Sequence, residues 1–312
     1  MKQFLKKVGL FLLPLLLLGL IAEVLLRRIP NEYAYKSEYL DKHADSVNIL
    51  FLGSSHSYLG INPEFIHGNS FNAAASSQSI DYDLRILQKY DSKLKNLKYL
   101  VVPVSYFTLF TDLSEAPESW RVKFYTIYYG IHSSSRFNDY TEMLCGSLEL
   151  NTKRLIRYYA LKRNLLECNS LGWALPFHEK KDVPSSGVEA ARKQTVAGRH
   201  LFSKHQEILS SIIGIAAKHH ATVILFTAPG YKTYYNNLDT NQLNTTLKTV
   251  ETMVMNHPNV QYYNLLRDSS FTEEDFYDGD HLNQFGARKF SMKLDTLIQH
   301  LEEKKTLAAK GL

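Results

Sequence analysis

The stretch VNILFLGSSHS at residues 47–57 decides the fold, because an apolar run stands directly before a glycine and two serines. Val47–Leu52 is apolar apart from Asn48, and such a run ending in a glycine predicts a short buried strand. Gly53 then opens a tight turn, which puts the hydroxyl of Ser55 at the carboxyl end of that strand. A serine becomes a nucleophile only when a base takes its proton and a third group orients the base.

Candidates for those two groups lie near the other end of the chain, in Asp278-Gly279-Asp280-His281. Residues three apart share one face of a helical turn, so the spacing predicts that the Asp278 carboxylate faces the His281 imidazole. Asp280 is the alternative acid, but a direct neighbour in a helical turn should point away from His281. The two segments together supply a nucleophile, a base and an orienting acid. This combination indicates a serine-nucleophile enzyme of acyl esters.

Strands and helices alternate along the chain. After the first strand, the patterns predict strands at 70–75, 97–104, 221–228 and 260–265, and helices at 79–94, 240–256 and 285–303. This alternation predicts an α/β fold, a three-layer α/β/α sandwich around a mostly parallel, five-stranded sheet of the flavodoxin-like kind. Sites in such folds lie beyond the carboxyl ends of the strands. That edge is where the sequence places its candidate site residues: Ser55, Ser77, Ser105 and His281.

The two blocks resemble those of the SGNH (GDSL-type) hydrolases. The family's first block, G-D-S-x-S, is similar to Gly53–Ser57, and its last block, D-x-x-H, is similar to Asp278–His281. The resemblance is confined to short blocks, which keep the family's order over residues 47–302. It implies three roles: Ser55 as the nucleophile, His281 as the general base, and Asp278 as the orienting acid.

The resemblance also implies donors for the oxyanion that forms during acyl transfer. The family's second block, N-x-x-x-S-G-x-T, is similar to Asn72–Ser79, where Ser77 replaces the glycine but keeps the backbone N–H, provided that φ is not positive. The third block, G-x-N, has no counterpart, because residues 100–107 (LVVPVSYF) contain no asparagine. The expected oxyanion donors are the backbone N–H groups of Ser55 and Ser77 and, in place of the asparagine, the side chain of Ser105 or of Tyr106.

An apolar segment near the N-terminus, Val8–Leu26, is interrupted only by Glu23. Its 19 residues come close to the length that a helix needs to cross a bilayer, which is about 20 residues. A cleaved signal peptide is the alternative, since Val8–Ala22 fits an apolar h-region. A cut after Ala22 would leave Leu20 where a small residue is preferred, so we expect an uncleaved transmembrane anchor.

The anchor separates two very unequal parts of the chain. The expected organisation is a tail at 1–7, the anchor at 8–26, a juxtamembrane connector at 27–46, an SGNH-like catalytic domain at 47–303 and a tail at 304–312. An insertion at about 107–200 interrupts the catalytic domain and is expected to roof the active site. The insertion is rich in aromatic residues, which indicate either stacking on sugar rings or a small core of its own.

Charge alone does not orient the anchor, because lysines precede it and arginines follow it. The chain is similar, however, to the membrane-anchored SGNH branch that modifies cell-envelope polymers, whose catalytic domains lie outside the cytoplasmic membrane. The similarity implies a single-pass protein of the cytoplasmic membrane with an extracytoplasmic catalytic domain. In that compartment Cys145 and Cys168 could form a disulfide, a question that the sequence leaves open.

The composition argues against several other classes of protein. With 45% apolar and 21% charged residues, the 312-residue chain is that of an ordinary globular protein. Its net charge of +5 is spread out with no long basic run, so nucleic-acid binding is not expected. Neither a C-x-x-C nor an H-E-x-x-H motif occurs. We expect no metal and no cofactor, although 12 histidines leave a metal site formally open.

Two functional hypotheses compete. In the first, a membrane-anchored SGNH-type esterase or O-acyltransferase transfers an acetyl-like group to a cell-envelope polysaccharide, or removes one, through an acyl-enzyme at Ser55. Its partners are an acyl donor, a glycan acceptor and the membrane, with a membrane-bound acyltransferase as a further candidate. In the second, the missing asparagine and the replaced glycine mark a catalytically silent scaffold that binds polysaccharide or a membrane partner. The presence of Ser55, Asp278 and His281 together favours the enzyme.

Overall fold

The computed structural model describes residues 1–176 and 181–309, which form two compact units. The first unit consists of Met1–Ser37 and Pro117–Glu167, and the second of Glu38–Ala116 and Cys168–Leu312. The segment expected as one insertion at about 107–200 is therefore divided, with its middle part in the first unit and its two ends in the second. Both cysteines, Cys145 and Cys168, are free thiols.

Helices account for much of the described chain. The α-helices are α1 (Lys2–Arg27), α2 (Glu32–His43), α3 (Ser55–Gly60), α4 (Ile80–Tyr90), α5 (Val122–Phe124), α6 (Glu142–Cys145), α7 (Leu148–Leu155), α8 (Val183–Gln194), α9 (Phe202–Lys218), α10 (Lys232–Tyr235), α11 (Thr240–Asn256) and α12 (Gln284–Ala309). Two five-residue π-helical turns, Tyr125–Tyr129 and Ile156–Ala160, continue α5 and α7.

The second unit is built on a five-stranded sheet in which all neighbouring strands are parallel. The strands are β1 (Ile49–Phe51), β2 (Ser70–Asn72), β3 (Tyr99–Pro103), β4 (Thr222–Thr227) and β5 (Val260–Asn264). Their spatial order is β2-β1-β3-β4-β5, and helices cover both faces. The predicted α/β fold with a parallel five-stranded sheet is confirmed, although β1 and β2 are shorter than the runs that predicted them.

Burial on both faces explains why these strands are continuous apolar runs in the sequence. Every residue of β1, β3 and β4 is buried. One face of the sheet packs against α12, where the rings of Phe226 and Phe290 lie at 60° with their centroids 5.2 Å apart. The Asn283 side chain accepts the N–H groups of Phe285 and Gly286, which fixes the start of α12.

The first unit has a small core of aromatic rings. Tyr33 stacks on Phe124 with centroids 4.6 Å apart and meets Tyr125 edge-on at 5.2 Å. Tyr125 stacks in turn on Tyr129, and both are almost fully buried. Of the two interpretations of the aromatic residues, the structure supports the small core.

A buried carboxylate joins the helices of the first unit. Glu142 on α6 lies 2.8 Å from Lys123 Nζ on α5 and 2.8 Å from Arg154 Nη1 on α7. Burial alone would raise the pKa of Glu142, but the two cations outweigh it and hold the pKa below its ordinary value. A charged carboxylate therefore ties α5, α6 and α7 together.

The first helix, α1, extends beyond the predicted anchor at both ends and contains Pro14. Among the described residues it is the one helix long and apolar enough to cross a membrane. Its large apolar side chains from Leu10 to Ile21 are exposed. Near its C-terminal end Leu26 is fully buried, and the Glu23 carboxylate accepts the first N–H groups of α6.

Candidate active site

A glycine after β1 brings Ser55 to the edge of the sheet. Gly53 has a φ of +112°, and a Cβ there would lie only 2.2 Å from Pro103 Cγ. The chain can therefore make this sharp turn only with glycine at the position. The helix α3 starts directly afterwards, with Ser55 as its first residue.

A buried carboxyl group holds the turn in place. Asp83 Oδ1 accepts the Gly53 N–H at 2.8 Å and a hydrogen from Gln78 Nε2 at 2.6 Å. The Gly53 carbonyl accepts the Ala75 N–H at 3.1 Å, which ties the loop after β2 to the same turn. Burial raises the pKa of Asp83 to about 7, against the opposing effect of its two hydrogen bonds.

His281 lies on a tight loop, and the prediction of a helical turn is wrong. The loop is closed by an antiparallel bridge between Phe276 and Leu282. Asp278 Oδ1 accepts the N–H groups of Asp280 and His281 at 3.3 and 3.0 Å. An aspartate that accepts from the backbone two and three residues ahead stabilises a turn in place of a helix.

The structure brings Ser55, His281 and Asp278 into one hydrogen-bonded chain. His281 Nε2 lies 2.8 Å from Ser55 Oγ, and His281 Nδ1 lies 2.8 Å from Asp278 Oδ1. The Asp278 side chain is buried, whereas 21% of the His281 side chain is exposed. With its Nδ1 proton directed at the carboxylate, a neutral His281 can accept the Ser55 proton at Nε2.

Asp280 faces His281, which corrects the expectation that it points away. Its Oδ1 lies 3.3 Å from His281 Nδ1. Its Oδ2 accepts a hydrogen from Gln194 Nε2 at 2.6 Å and lies 3.5 Å from His56 Nε2. The expectation fails because it assumed helical geometry, which this loop does not have. Asp278 is the nearer acid, and Asp280 is a second carboxylate at the same nitrogen.

These two carboxylates set the charge of the imidazole. Burial alone would lower the pKa of His281, but Asp280 and Asp278 outweigh it through charge and hydrogen bonding and hold the pKa well above its ordinary value. Burial would also raise the pKa of Asp280, yet His281 and His56 hold it well below its ordinary value. The two carboxylates therefore stabilise the protonated imidazole relative to the neutral one.

Of the two side chains considered in place of the asparagine, Ser105 lies beside the site. Its Oγ is 2.7 Å from His56 Nδ1, and the His56 ring meets the His281 ring edge-on with centroids 5.5 Å apart. The hydroxyl of Tyr106 lies instead 2.8 Å from Thr195 Oγ1. The structure thus leaves Ser105 as the candidate side-chain donor.

The two backbone donors expected from the sequence are both unpaired. Within the described chain, neither the Ser55 N–H nor the Ser77 N–H has a hydrogen-bond acceptor. Ser77 has a φ of +59° and lies in the turn that the Gln78 N–H closes onto the Ala75 carbonyl at 3.1 Å. Glycine is preferred at such a position. The condition attached to Ser77, that φ is not positive, is therefore not met, and the serine presents its N–H there at a cost of about 1–2 kcal/mol.

Three side chains at the site also offer atoms that can ligate a metal ion. His56, Asp280 and His281 offer ligating atoms that all lie within 4.8 Å of one another. Both ring nitrogens of His281, however, already face partners, with Ser55 on one side and Asp278 on the other. A metal at His281 would have to displace one of these hydrogen bonds. The sequence-based expectation of no metal stays a prediction.

Three residues of the site were not foreseen from the sequence. His56 directly follows the candidate nucleophile, and this position in α3 is a signal that could have been used. Gln194 reaches Asp280 from 86 residues away, at the end of α8, and no local pattern indicates it. Asp83 is one of two acids in the first turn of α4, and only its burial and its contact with Gly53 single it out.

The two solved structures described below are distant likenesses of this chain. No protein-family model and no curated protein matches the sequence. A Streptococcus pneumonia protein, provisionally described as a platelet activating factor, aligns with a TM-score of 0.44 at 11% identity over 92% of this chain and 98% of its own. A Bacteroides fragilis protein, provisionally described as an acylhydrolase, aligns with a TM-score of 0.41 at 12% identity over 86% of this chain and 95% of its own. Scores and identities this low say nothing about activity.

Proposed function

We propose that the protein is a serine-nucleophile acyl-ester enzyme of the SGNH type. The observation that carries the proposal is the unbroken chain from Ser55 through His281 to Asp278, in which each hydrogen bond is 2.8 Å long. A hydroxyl, an imidazole and a carboxylate in this order are what a serine needs to act as a nucleophile. The resemblance of the two sequence blocks to SGNH hydrolases supports the same interpretation.

The first half-reaction forms an acyl-enzyme. Ser55 Oγ attacks the carbonyl carbon of an acyl ester while its proton passes to His281 Nε2. The N–H groups of Ser55 and Ser77 stabilise the oxyanion, and Ser105 is the candidate third donor. As the tetrahedral intermediate collapses, the alcohol leaves with the proton from His281 and the acyl group stays on Ser55.

The second half-reaction releases the enzyme. An acceptor hydroxyl gives its proton to His281 and attacks the acyl carbon, and Ser55 leaves with the proton that His281 returns. Water as the acceptor gives hydrolysis, and a sugar hydroxyl gives transfer. Asp278 keeps the imidazole in the tautomer that both half-reactions use.

The proposed setting is the outer face of the cytoplasmic membrane, with α1 as a single-span anchor. The substrate we propose there is an acetyl-like ester of a cell-envelope polysaccharide. The proposed partners are an acyl donor, a glycan acceptor and a membrane-bound acyltransferase. The length and apolar character of α1 support the anchor, and the resemblance to the membrane-anchored SGNH branch supports the rest.

A fluorophosphonate probe, which reacts with activated serines, tests the proposal. We expect wild type to be labelled and Ser55→Ala to show no labelling, because the variant lacks the attacking oxygen. The matched control is Ser54→Ala, since Ser54 Oγ is buried and has no hydrogen-bond partner within the described chain. This control should label like wild type.

Other outcomes are equally informative. Labelling that persists in Ser55→Ala would assign the nucleophile to another residue. A folded wild-type protein that takes no label would support the silent scaffold.

A further inference from the structure

Exposed apolar side chains are concentrated in one part of the chain outside α1. Among the described residues, eight large apolar side chains are exposed within Pro117–Glu167, against six in the much longer second unit. Five of the eight, Tyr140 among them, lie within residues 137–150, and the four aliphatic or phenylalanine side chains of that stretch define what we call the α6–α7 surface: Phe137 (72% exposed), Leu144 (47%), Leu148 (82%) and Leu150 (51%). A single exposed leucine needs no explanation, whereas several large apolar side chains exposed within fourteen residues of sequence make this segment a candidate for contact with an apolar partner.

The α6–α7 surface is fixed beside the C-terminal half of α1. The Met143 side chain on α6 comes within 3.5 Å of the position that a Cβ would take at Gly19. The Glu23 carboxylate accepts the N–H groups of Glu142 and Met143 at 3.0 and 2.9 Å. The helix α6 therefore lies level with residues 19–23 of α1.

Hydrogen bonds nearer the end of α1 complete this attachment. Arg27 Nη2 donates to the Tyr140 carbonyl at 2.7 Å, and the Tyr159 hydroxyl donates to the Leu25 carbonyl at 2.9 Å. Arg27 Nε also donates to Glu23 at 2.6 Å. The acid that interrupts the apolar segment is thus paired with a cation and with two backbone N–H groups, which lowers the cost of placing it near lipid.

The position of α6 along α1 decides its depth in a membrane. Gly19 precedes Leu26, the end of the apolar segment, by seven residues, or about 10 Å of helix. If α6 stayed in water, the span would have to end near Gly19. Val8–Gly19 is only about 18 Å long, whereas the hydrocarbon layer is about 30 Å thick. The whole segment Val8–Leu26, at about 28 Å, fits the layer and carries α6 into its boundary.

The following segment carries charges that complement a lipid headgroup layer. Arg157, Lys162 and Arg163 are exposed, and no acidic residue occurs between Leu150 and Leu166. Elements that lie on membranes combine apolar side chains with lysine and arginine in this way. Each cation near an anionic lipid surface adds about 1 kcal/mol to binding.

We propose that the α6–α7 surface is a membrane-interface element, immersed in the headgroup boundary of the bilayer that α1 crosses. The inference rests on the proposed insertion of α1 and is independent of the proposed chemistry at Ser55. Lipid is the occupant because α6 is attached to residues 19–23 of α1, the last turns of the proposed span. The first unit is then attached to the membrane twice, by a span and by a surface.

Depth-dependent fluorescence quenching tests whether the α6–α7 surface lies in the headgroup boundary. The full-length chain is used, with both native cysteines replaced by Cys145→Ser and Cys168→Ala so that only introduced cysteines are labelled. Single cysteines at Leu148→Cys, Met255→Cys and Leu16→Cys carry an environment-sensitive fluorophore. The protein is reconstituted in phosphatidylcholine vesicles that contain phosphatidylglycerol. Met255 is the matched control, because it is an apolar residue of α11 with 77% exposure in the second unit, and Leu16 reports the insertion of α1. A shallow nitroxide lipid, a deep nitroxide lipid and aqueous iodide serve as quenchers.

We expect the shallow nitroxide to quench the Leu148 label at least about threefold more than the Met255 label, with iodide showing the reverse order. The Leu16 label should respond to the deep nitroxide. If iodide does not quench the Leu16 label but quenches the Leu148 label as strongly as the Met255 label, the α6–α7 surface lies in water. The proposed membrane-interface element is then refuted, while the proposed anchor α1 stands. If iodide also quenches the Leu16 label, both the proposed anchor and the proposed membrane-interface element are refuted. Circular dichroism checks the folding of each variant independently of fluorophosphonate labelling at Ser55.

Discussion

At the scale of single residues, the charge of His281 decides when the proposed base can act. A base must be neutral to take the proton of Ser55, but Asp280 and Asp278 hold the pKa of His281 well above its ordinary value. Below that pKa most molecules carry an imidazolium, which has no lone pair to offer. Acylation should therefore rise with pH and level off only above the raised pKa.

Asp280→Asn should move this pH dependence. Removing the Asp280 charge lowers the pKa of His281, so the rising limb of acylation should shift to lower pH. Below the wild-type midpoint, acylation should be several-fold faster than in wild type. The measurement is the burst rate with an activated ester across a pH series.

Asp278→Asn provides the contrast for that experiment. Losing the nearer carboxylate removes the preference for the productive tautomer, so the rate should fall on the order of 100- to 10,000-fold at every pH. A midpoint that does not move in Asp280→Asn would show that the second carboxylate does not control the imidazole.

Ser77→Gly tests the strained turn next to the proposed oxyanion site. Ser77 has a φ of +59°, which glycine adopts without strain, so the variant should be more stable by about 1 kcal/mol. It keeps the backbone N–H, and fluorophosphonate labelling should be as fast as in wild type or faster. Urea unfolding and labelling rate are the two measurements.

Ser76→Gly is the matched control for this substitution, because Ser76 has no positive φ. There the glycine only adds freedom to the unfolded chain and should lower stability by about 0.4–1 kcal/mol. The argument from backbone strain would be refuted if the two variants lost stability to the same extent.

At the scale of elements, the C-terminal end of α1 serves the first unit as well as the proposed membrane span. Leu26 is fully buried, and Glu23 accepts the first N–H groups of α6. A chain that starts at Gly19 keeps these contacts, whereas one that starts at Ile29 loses them.

Two truncations separate the roles of this helix. Deleting residues 1–18 should leave the melting temperature of the first unit nearly unchanged. Deleting residues 1–28 removes a buried leucine and leaves N–H groups of α6 unpaired, a loss of about 3–5 kcal/mol. In detergent, this should lower the melting temperature of the first unit by roughly 12–40 °C relative to the shorter deletion. Equal melting of the two truncated proteins would contradict a structural role for the end of α1.

At the scale of the whole molecule, the parallel sheet assembles the site from distant parts of the chain. β1 and β2 are neighbours, and the turns that follow them join through the Ala75–Gly53 hydrogen bond. β5 lies at the opposite edge from β2, yet the loop after it brings His281 to Ser55 across 226 residues of sequence. The distance in sequence is bridged because all the strands end at one edge.

The sequence by itself determined the sheet, the turn after β1 and the identity of the candidate nucleophile, base and nearer acid. Continuous apolar runs indicate strands that are buried on both faces of a parallel sheet. The glycine before the serine indicates a turn that no other residue can make. Both are local properties, so a local pattern reveals them.

The tertiary structure alone decided the surroundings of those residues. Asp280 turned toward His281 because Asp278 bonds to the backbone of its own loop, and a helical spacing rule cannot anticipate this. The contacts of Asp280 with His56 and Gln194, and the division of the expected insertion between two units, depend on packing between segments far apart in sequence. The physical reason is that periodicity encodes which face of an element is buried, but not which distant side chain fills the space against it.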